Sequence, residues 1–217
     1  MYKSIATAFA ILLMSLFASF AFAQEEAATA AVEESLETQE IPATPHATVE
    51  LVSEELVGML DDAKSKFKND PQQFYDEIDS VISPWLDFNS WARGVMGSYA
   101  AEASDEQIAT FASVFRTSLI ETYAKGLINV ETARFEVAPP RDGDEAKTTV
   151  GVMQTLYSGS DKIQVLYAMQ KSEEGRWQFR NVQLDGVNLG RTFRNQFANA
   201  VASNDGDIDK AIADWGV

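Results

Sequence analysis

The amino-acid sequence predicts an α+β domain in which several helices pack on a curved antiparallel sheet. Apolar residues recur at helical spacing through most of residues 49–126. From Arg134 onward the pattern changes to the alternation of apolar and polar residues that is typical of half-buried strands. Strands that follow one another after short turns favour an antiparallel meander, and helices before strands favour the α+β class.

The helical part has clear boundary signals. Residues 49–69 are predicted to form one helix, because its apolar residues lie on one face. The pair Asp70-Pro71 predicts the start of a second helix, and Pro84 predicts its end. Ser104 with Gln107 forms the pattern of a capping box, so the longest helix is expected from there to residues 126–129.

The second part is predicted to contain the strands and two closing helices. Turn residues separate the alternating segments, as expected for hairpins. Apolar residues at helical spacing then return near the carboxyl end of the chain. The predicted strands are 134–137, 149–156, 163–169 and 177–182, and the predicted helices are 189–201 and 208–215.

The first residues have the layout of a secretory signal peptide. Lys3 precedes an apolar run, and Ala21-Phe22-Ala23 supplies the small residues of a cleavage site after Ala23. This cleavage site leads us to expect that residues 1–23 are removed on export. An uncleaved membrane anchor is the alternative interpretation.

An acidic segment follows the leader. Residues 24–48 contain six Glu and neither Lys nor Arg, and they are rich in Ala and Thr. Such a composition predicts a disordered linker, and His46 within it is interpreted as a residue without a functional role. Residues 49–217 are then expected to form a single domain.

Composition excludes several classes of protein. The chain has 33 Asp+Glu against 17 Lys+Arg, a formal net charge of -16, which argues against a nucleic-acid-binding protein. It has no Cys, which excludes disulfides and thiolate metal sites. Common catalytic and nucleotide-binding motifs are also absent from the sequence. We therefore predict no catalytic residues, no metal site and no enzymatic activity.

One carboxylate pattern has an ordinary structural explanation. Residues 205–209 weakly resemble a calcium loop, but the glutamate expected at its twelfth position is missing. Asp207 is better interpreted as the N-cap of the last helix.

The chain has more bulky apolar residues than a small core needs, with 13 Phe and 4 Trp. They could fill a solid core, or they could line an apolar cavity between sheet and helices. Periodicity does not distinguish the two. The candidate lining residues are Trp91, Val95, Met96, Phe111, Phe115, Leu119, Val150, Val152, Leu156, Ile163, Val165, Tyr167, Met169, Trp177, Phe179, Phe193 and Phe197.

Several segments form a set of motifs: the G-x-x-G segment at 92–97, the helix start at 103–107 with Phe111, Phe115, Leu119 and Tyr123, and the later segments 175–179, 185–189 and 194–197. This set resembles the MlaC or toluene-tolerance (Ttg2-type) family of periplasmic phospholipid-binding proteins. The order and spacing of these motifs carry the resemblance. Asn181 and Asn188 depart from it, since the family often has Asp and Ser there.

The resemblance implies an MlaC-like (NTF2-like) fold with a deep apolar pocket for acyl chains, and bound phospholipid as cargo with no cofactor. It also implies a monomeric carrier in the periplasm of a Gram-negative cell. The implied partners are an inner-membrane ABC transporter complex of the Mla type and an outer-membrane lipoprotein complex. Candidate contacts to a lipid phosphate are Arg93, Arg116, Arg134, Arg180, Arg191 and Arg194.

Two alternatives remain open at this point. One is an NTF2-like enzyme that acts on a small apolar substrate with a buried carboxylate, such as Asp185, as its base. The other is an adaptor with a solid core that binds only other proteins.

Overall fold

The computed structural model describes residues 41–128 and 134–216. The predicted signal peptide and residues 24–40 of the expected linker lie outside these ranges. Seven α-helices are described: α1 Pro45–Gly58, α2 Leu60–Asn69, α3 Pro71–Ile82, α4 Phe88–Met96, α5 Asp105–Leu127, α6 Leu189–Ser203 and α7 Ile208–Ala213. The strands are β1 Arg134–Val137, β2 Thr149–Ser158, β3 Asp161–Lys171, β4 Trp177–Leu184 and β5 Val187–Asn188.

The first helix differs from the sequence expectation at both ends. It begins at Pro45, where the Thr44 hydroxyl accepts a hydrogen bond from the Ala47 N–H at 3.1 Å. The chain leaves the helix at Met59, whose N–H donates to the Leu56 carbonyl in a tight turn. The predicted single helix over 49–69 is therefore two helices, and the last residues of the expected linker, 45–48, are helical.

His46 illustrates why that linker boundary was wrong. His46 and Thr48 are 8% and 0% exposed, so this turn of α1 is packed inside the domain. A loop-like composition did not prevent order, because tertiary packing stabilises most helices in proteins. The interpretation of His46 as part of a flexible tail is corrected by its burial.

The predicted helix starts at Asp70 and Ser104 are confirmed. The Asp70 carboxylate accepts from the Gln73 N–H at 3.0 Å, and Pro71 occupies the first position of α3. Ser104 and Gln107 form both hydrogen bonds of the capping box of α5, at 3.1 and 2.9 Å. Asp207 accepts from the Lys210 N–H and so caps α7, as predicted.

The sheet is an antiparallel meander in the order β1-β2-β3-β4-β5, which confirms the predicted fold class. Strands β2 and β3 pair with Val150 opposite Met169 and Val152 opposite Tyr167, so the predicted apolar sets share one face. A bulge beside Ala168 and Met169 shifts the register of β4 against β3. The short strand β5 was not predicted.

Helix α1 contacts strands β1, β2 and β4, while α4 and α6 pack on each other and α6 on β4. The described residues up to Trp215 belong to one compact unit. Within the described ranges, the helices are too short or too polar to span a membrane.

Candidate functional site

Apolar residues of α4, α5, α6 and α7 form a dense group, which we call the helical cluster, whereas those of α2, α3 and the second half of α5 pack separately around Phe74. Ring centroids lie 4.7 Å apart for Phe111 and Phe197, and 5.3 Å apart for Phe115 and Phe193. Rings at these distances are in contact, so this cluster is filled by its own side chains. It contains the predicted lining residues Trp91, Val95, Met96, Phe111, Phe115, Leu119, Phe193 and Phe197.

The residues from the strands form a second group, the sheet cluster. Val49 and Val52 of α1 and the buried Trp85 cover the inner face of the sheet there. Tyr167 packs against this group, with its ring centroid 5.2 Å from that of Phe179. The sheet cluster contains the predicted lining residues Val150, Val152, Met169, Trp177 and Phe179.

The remaining predicted lining residues lie farther along the β2–β3 hairpin. Leu156 and Ile163 oppose each other near its turn and are half-buried. Val165 is 2% exposed and lies opposite Gln154. The predicted set therefore divides between two clusters and a hairpin end.

The two clusters meet along a line that we call the seam, formed by Leu86, Trp91 and Phe179. Leu86 packs against both clusters. The indole N–H of Trp91 donates to the Phe179 carbonyl at 2.7 Å, which ties α4 to β4. The seam is thus the boundary between the helical layer and the sheet.

Sequence reasoning missed a buried polar network beside the sheet cluster. Gln154 is 1% exposed; its amide donates to the Ser53 hydroxyl at 2.6 Å and accepts from the Tyr167 hydroxyl at 2.8 Å. Burial raises the pKa of the Tyr167 phenol far above its ordinary value, so the hydroxyl stays a neutral donor. The sequence contained a signal for this network, because Gln154 is a polar residue at an inward-facing position in the alternation of β2.

The candidate arginines separate into two sets. Arg93 pairs with Asp105 at 3.0 Å, Arg116 with Asp79, and Arg134 with Glu136. These three guanidinium groups already have carboxylate partners on the protein, so the structure does not bring them to a common site.

Arg180, Arg191 and Arg194 come together and line a groove of about 410 Å³, which we call the arginine groove. Ser90, Trp91, Gly94 and Val95 of α4 form part of its wall, so the groove opens next to the seam. A groove of this volume lies within the range of about 300–1,000 Å³ that is typical of ligand sites.

The Arg194 side chain contacts both Gly94 and Gly97, the two glycines at the end of α4. Its Nε donates to the Gly94 carbonyl at 2.8 Å. A Cβ added to Gly97, which has φ of 60°, would lie 3.1 Å from the Arg194 side chain. Two motifs that are distant in sequence are therefore in direct contact, with the arginine stem against the end of α4.

Asp185 does not have the environment of a catalytic base. It lies in the exposed turn between β4 and β5, with φ of 46°, and its carboxylate accepts from the Gln164 N–H at 2.8 Å. The premise of a buried base at Asp185 is therefore wrong. Within the described ranges, no group of His, Asp and Glu side chains is placed to hold a metal ion.

A helical layer on an antiparallel sheet, with two apolar clusters that meet beside a polar groove, defines an α+β binding protein. The family model described as MlaC protein matches residues 50–216. The chain therefore belongs to the MlaC family, which confirms the resemblance and the prediction of a binding protein without enzymatic activity.

Individual relatives agree. Toluene tolerance protein ttg2D of Pseudomonas putida is 32% identical over 176 residues, covering 79% of this chain and 80% of that protein. The intermembrane phospholipid transport system binding protein MlaC of Haemophilus influenzae is 21% identical over 148 residues, covering 67% of this chain and 69% of that protein.

A solved structure has the same fold. It is the phospholipid-binding protein of Ralstonia solanacearum in complex with a phospholipid, which is 26% identical with a TM-score of 0.69. The match covers 77% of this chain and 92% of that one.

Proposed function

We propose that this protein is a periplasmic carrier that moves phospholipids between the outer and inner membranes and so maintains the asymmetry of the outer membrane. The observation that carries the proposal is the match to a phospholipid-bound protein over 77% of this chain. Family membership and the two apolar clusters support the same conclusion.

The physical need for a carrier follows from the hydrophobic effect. Each methylene removed from water contributes about 0.8 kcal/mol, so an acyl chain of about 15 carbons contributes on the order of 12 kcal/mol. A diacyl lipid therefore leaves a membrane slowly unless a protein covers its chains. Apolar packing achieves this without a nucleophile or a metal.

We place the acyl chains along the seam, between the sheet cluster and the helical cluster. The rings of the helical cluster contact one another, so a chain inserted among them would break many favourable contacts. Entry at the seam brings the chain against Phe179 and the rest of the sheet cluster, which includes Val152. It also leaves the helical cluster packed.

The leader and the family support the cellular setting. A signal peptide over residues 1–23 would deliver the protein to the periplasm. There it would accept and deliver lipid as a monomer, with an inner-membrane ABC transporter complex of the Mla type and an outer-membrane lipoprotein complex as partners.

Mass spectrometry of the protein purified from periplasm tests the proposal directly. We expect stoichiometric phospholipid to be released on denaturation, and the purified chain to begin at Gln24. Absence of co-purified phospholipid, together with no uptake from labelled vesicles, would contradict the carrier function.

Tryptophan substitutions test the place of the chains. We expect Val152→Trp or Val165→Trp to reduce lipid loading per folded molecule, because each side chain is buried in the sheet face. Overpacking costs about 1–3 kcal/mol, so loading is measured below the unfolding transition of each variant. Val187→Trp is the control, since that residue is 54% exposed on the same sheet. Equal loading of all variants would refute the assignment of the sheet face.

A further inference from the structure

The arginine groove is a positively charged feature of a strongly acidic protein. The chain has a formal net charge of -16, yet the groove is lined by Arg180, Arg191 and Arg194 and by no Asp or Glu. Clustered positive charge in a concave surface attracts an anion locally even where the net charge is negative.

Two of the three guanidinium groups are held in place by hydrogen bonds to neutral acceptors. Arg180 donates through Nε to Gln170 at 2.8 Å, and Arg194 through Nε to the Gly94 carbonyl at 2.8 Å. Arg180 also forms an ion pair with the Asp87 carboxylate, at 3.7 Å from one terminal nitrogen. Anchoring through Nε leaves the terminal N–H groups as donors, and an anchored side chain loses less entropy when it binds a ligand.

Arg191 has no carboxylate partner among the residues described here. Its own backbone N–H donates to the Asn188 side chain at 2.9 Å, which fixes the first turn of α6. The side chain lies at the exposed end of the groove. It is therefore the cation of the three that is most available to a ligand.

Two asparagines add neutral donors to the same wall. Asn181 accepts from the Gly190 N–H at 3.1 Å, and Asn188 accepts from the Arg191 N–H. Because a backbone N–H only donates, the contacting atom of each amide is its oxygen. The NH2 groups of Asn181 and Asn188 are thereby left as donors beside the arginines.

We propose that the arginine groove binds a phosphodiester anion, and that this anion is the phosphate of a phospholipid head group. The assignment to a lipid rests on the proposed function and on the position of the groove, whose walls include Trp91 of the seam. Guanidinium groups match the oxygens of a phosphate, and amide donors complete the contact. The helix end at α6 is not the basis of the site, because the side chains of Asn181 and Asn188 already accept from the N–H groups of its second and third residues, Gly190 and Arg191.

The sharpest variant is Asn181→Asp. Aspartate keeps the oxygen that accepts from Gly190 but places a negative charge among the three arginines. Space is tight there, since a Cβ on Gly190 would lie 2.7 Å from the Asn181 oxygen, so an isosteric change is required. Asn195→Asp is the matched control, because it makes the same change at an exposed position of α6 outside the groove.

The first measurement uses glycerophosphoglycerol, a soluble phosphodiester without acyl chains, and follows amide shifts by NMR. We expect shifts around Gly190 and Arg191 in the wild-type protein, and affinity about tenfold weaker in Asn181→Asp and in Arg191→Gln. Asn195→Asp and Arg141→Gln should bind as the wild type does. If the amide chemical shifts of the groove residues do not change in the wild-type protein, the proposed anion site is wrong, whether or not the protein carries lipid.

The second measurement compares uptake of phosphatidylglycerol and of diacylglycerol with the same chains. We expect Asn181→Asp to lower phosphatidylglycerol uptake and to leave diacylglycerol uptake unchanged. Phosphodiester binding with no uptake of either lipid would contradict the carrier function while retaining the anion site. Tighter binding of inorganic phosphate than of the phosphodiester, or unchanged lipid selectivity in the variants, would overturn the head-group assignment. Loss of binding to an acidic partner protein, with lipid selectivity intact, would assign the groove to that partner.

Discussion

Trp91→Phe tests the hydrogen bond that joins the helical layer to the sheet. The substitution keeps an aromatic side chain in the helical cluster but removes the indole N–H that donates to the Phe179 carbonyl at 2.7 Å. Trp91 is 8% exposed, so the carbonyl loses a partner at a site with little access for water.

The expected loss follows from that geometry. Leaving a buried acceptor unsatisfied costs about 1–3 kcal/mol, to which the smaller ring adds a packing loss. Trp215→Phe is the control for packing, because Trp215 also contacts Phe111, at 5.1 Å, and no hydrogen bond from its indole is seen within the described ranges. We expect Trp91→Phe to lower the free energy of unfolding by about 1–2 kcal/mol more than Trp215→Phe does.

Urea denaturation followed by circular dichroism gives both free energies, provided that the free energy of unfolding depends on urea concentration with the same slope in both variants. A difference below about 0.5 kcal/mol would refute the reasoning, because a buried bond of this kind should exceed the usual effect of a surface substitution. If lipid enters at the seam, Trp91→Phe should also exchange labelled phospholipid faster than Trp215→Phe does. Equal exchange rates would contradict entry beside Trp91.

Three further results are expected. Gln154→Met should lower the free energy of unfolding by about 1–3 kcal/mol in urea denaturation, because Ser53 and Tyr167 each lose a buried hydrogen-bond partner. An unchanged free energy of unfolding would mean that the network does not stabilise the domain. Burial lowers the pKa of His46, so the unfolded chain binds a proton first and stability falls as pH decreases through about 6.5. His46→Gln should reduce that fall when the free energy of unfolding is measured between pH 7.5 and 5.5. If this free energy depends on pH with the same slope in both proteins, His46 does not cause the fall. Asp207→Ala should cost about 1 kcal/mol in a thermal melt through loss of the cap of α7, and Asp207→Ser should recover most of it; equal melting of both variants would exclude the cap as the cause.

The sequence predicted most of the sheet and several helix starts because their signals are local. Alternation along β2 and β3 is set by which face each residue occupies, and the capping pattern at Ser104 lies within four residues. Boundaries that depend on tertiary contact were not predictable in this way. The break at Met59 lies within an apolar stripe that continues at helical spacing, and the order at His46 depends on packing.

The candidate site was predicted only in part for a related reason. Hydrophobic periodicity identifies the buried face of an element but not the neighbour against which that face packs. Phe115 and Val152 gave the same signal, although one contacts other helical rings and the other faces the sheet cluster. The grouping of Arg191 with Arg180 likewise depends on how α6 returns beside β4, which no local pattern contains.

The unequal packing of the domain bears on how a carrier can open. The boundary between the two clusters is crossed by Leu86, by Val182 of β4, which packs against the helical cluster, by the packing of α6 on β4, and by the Trp91 hydrogen bond. Separating the two layers along the seam leaves the contacts within each cluster in place. An acyl chain placed there would restore apolar contact on both sides, at about 0.8 kcal/mol per buried methylene.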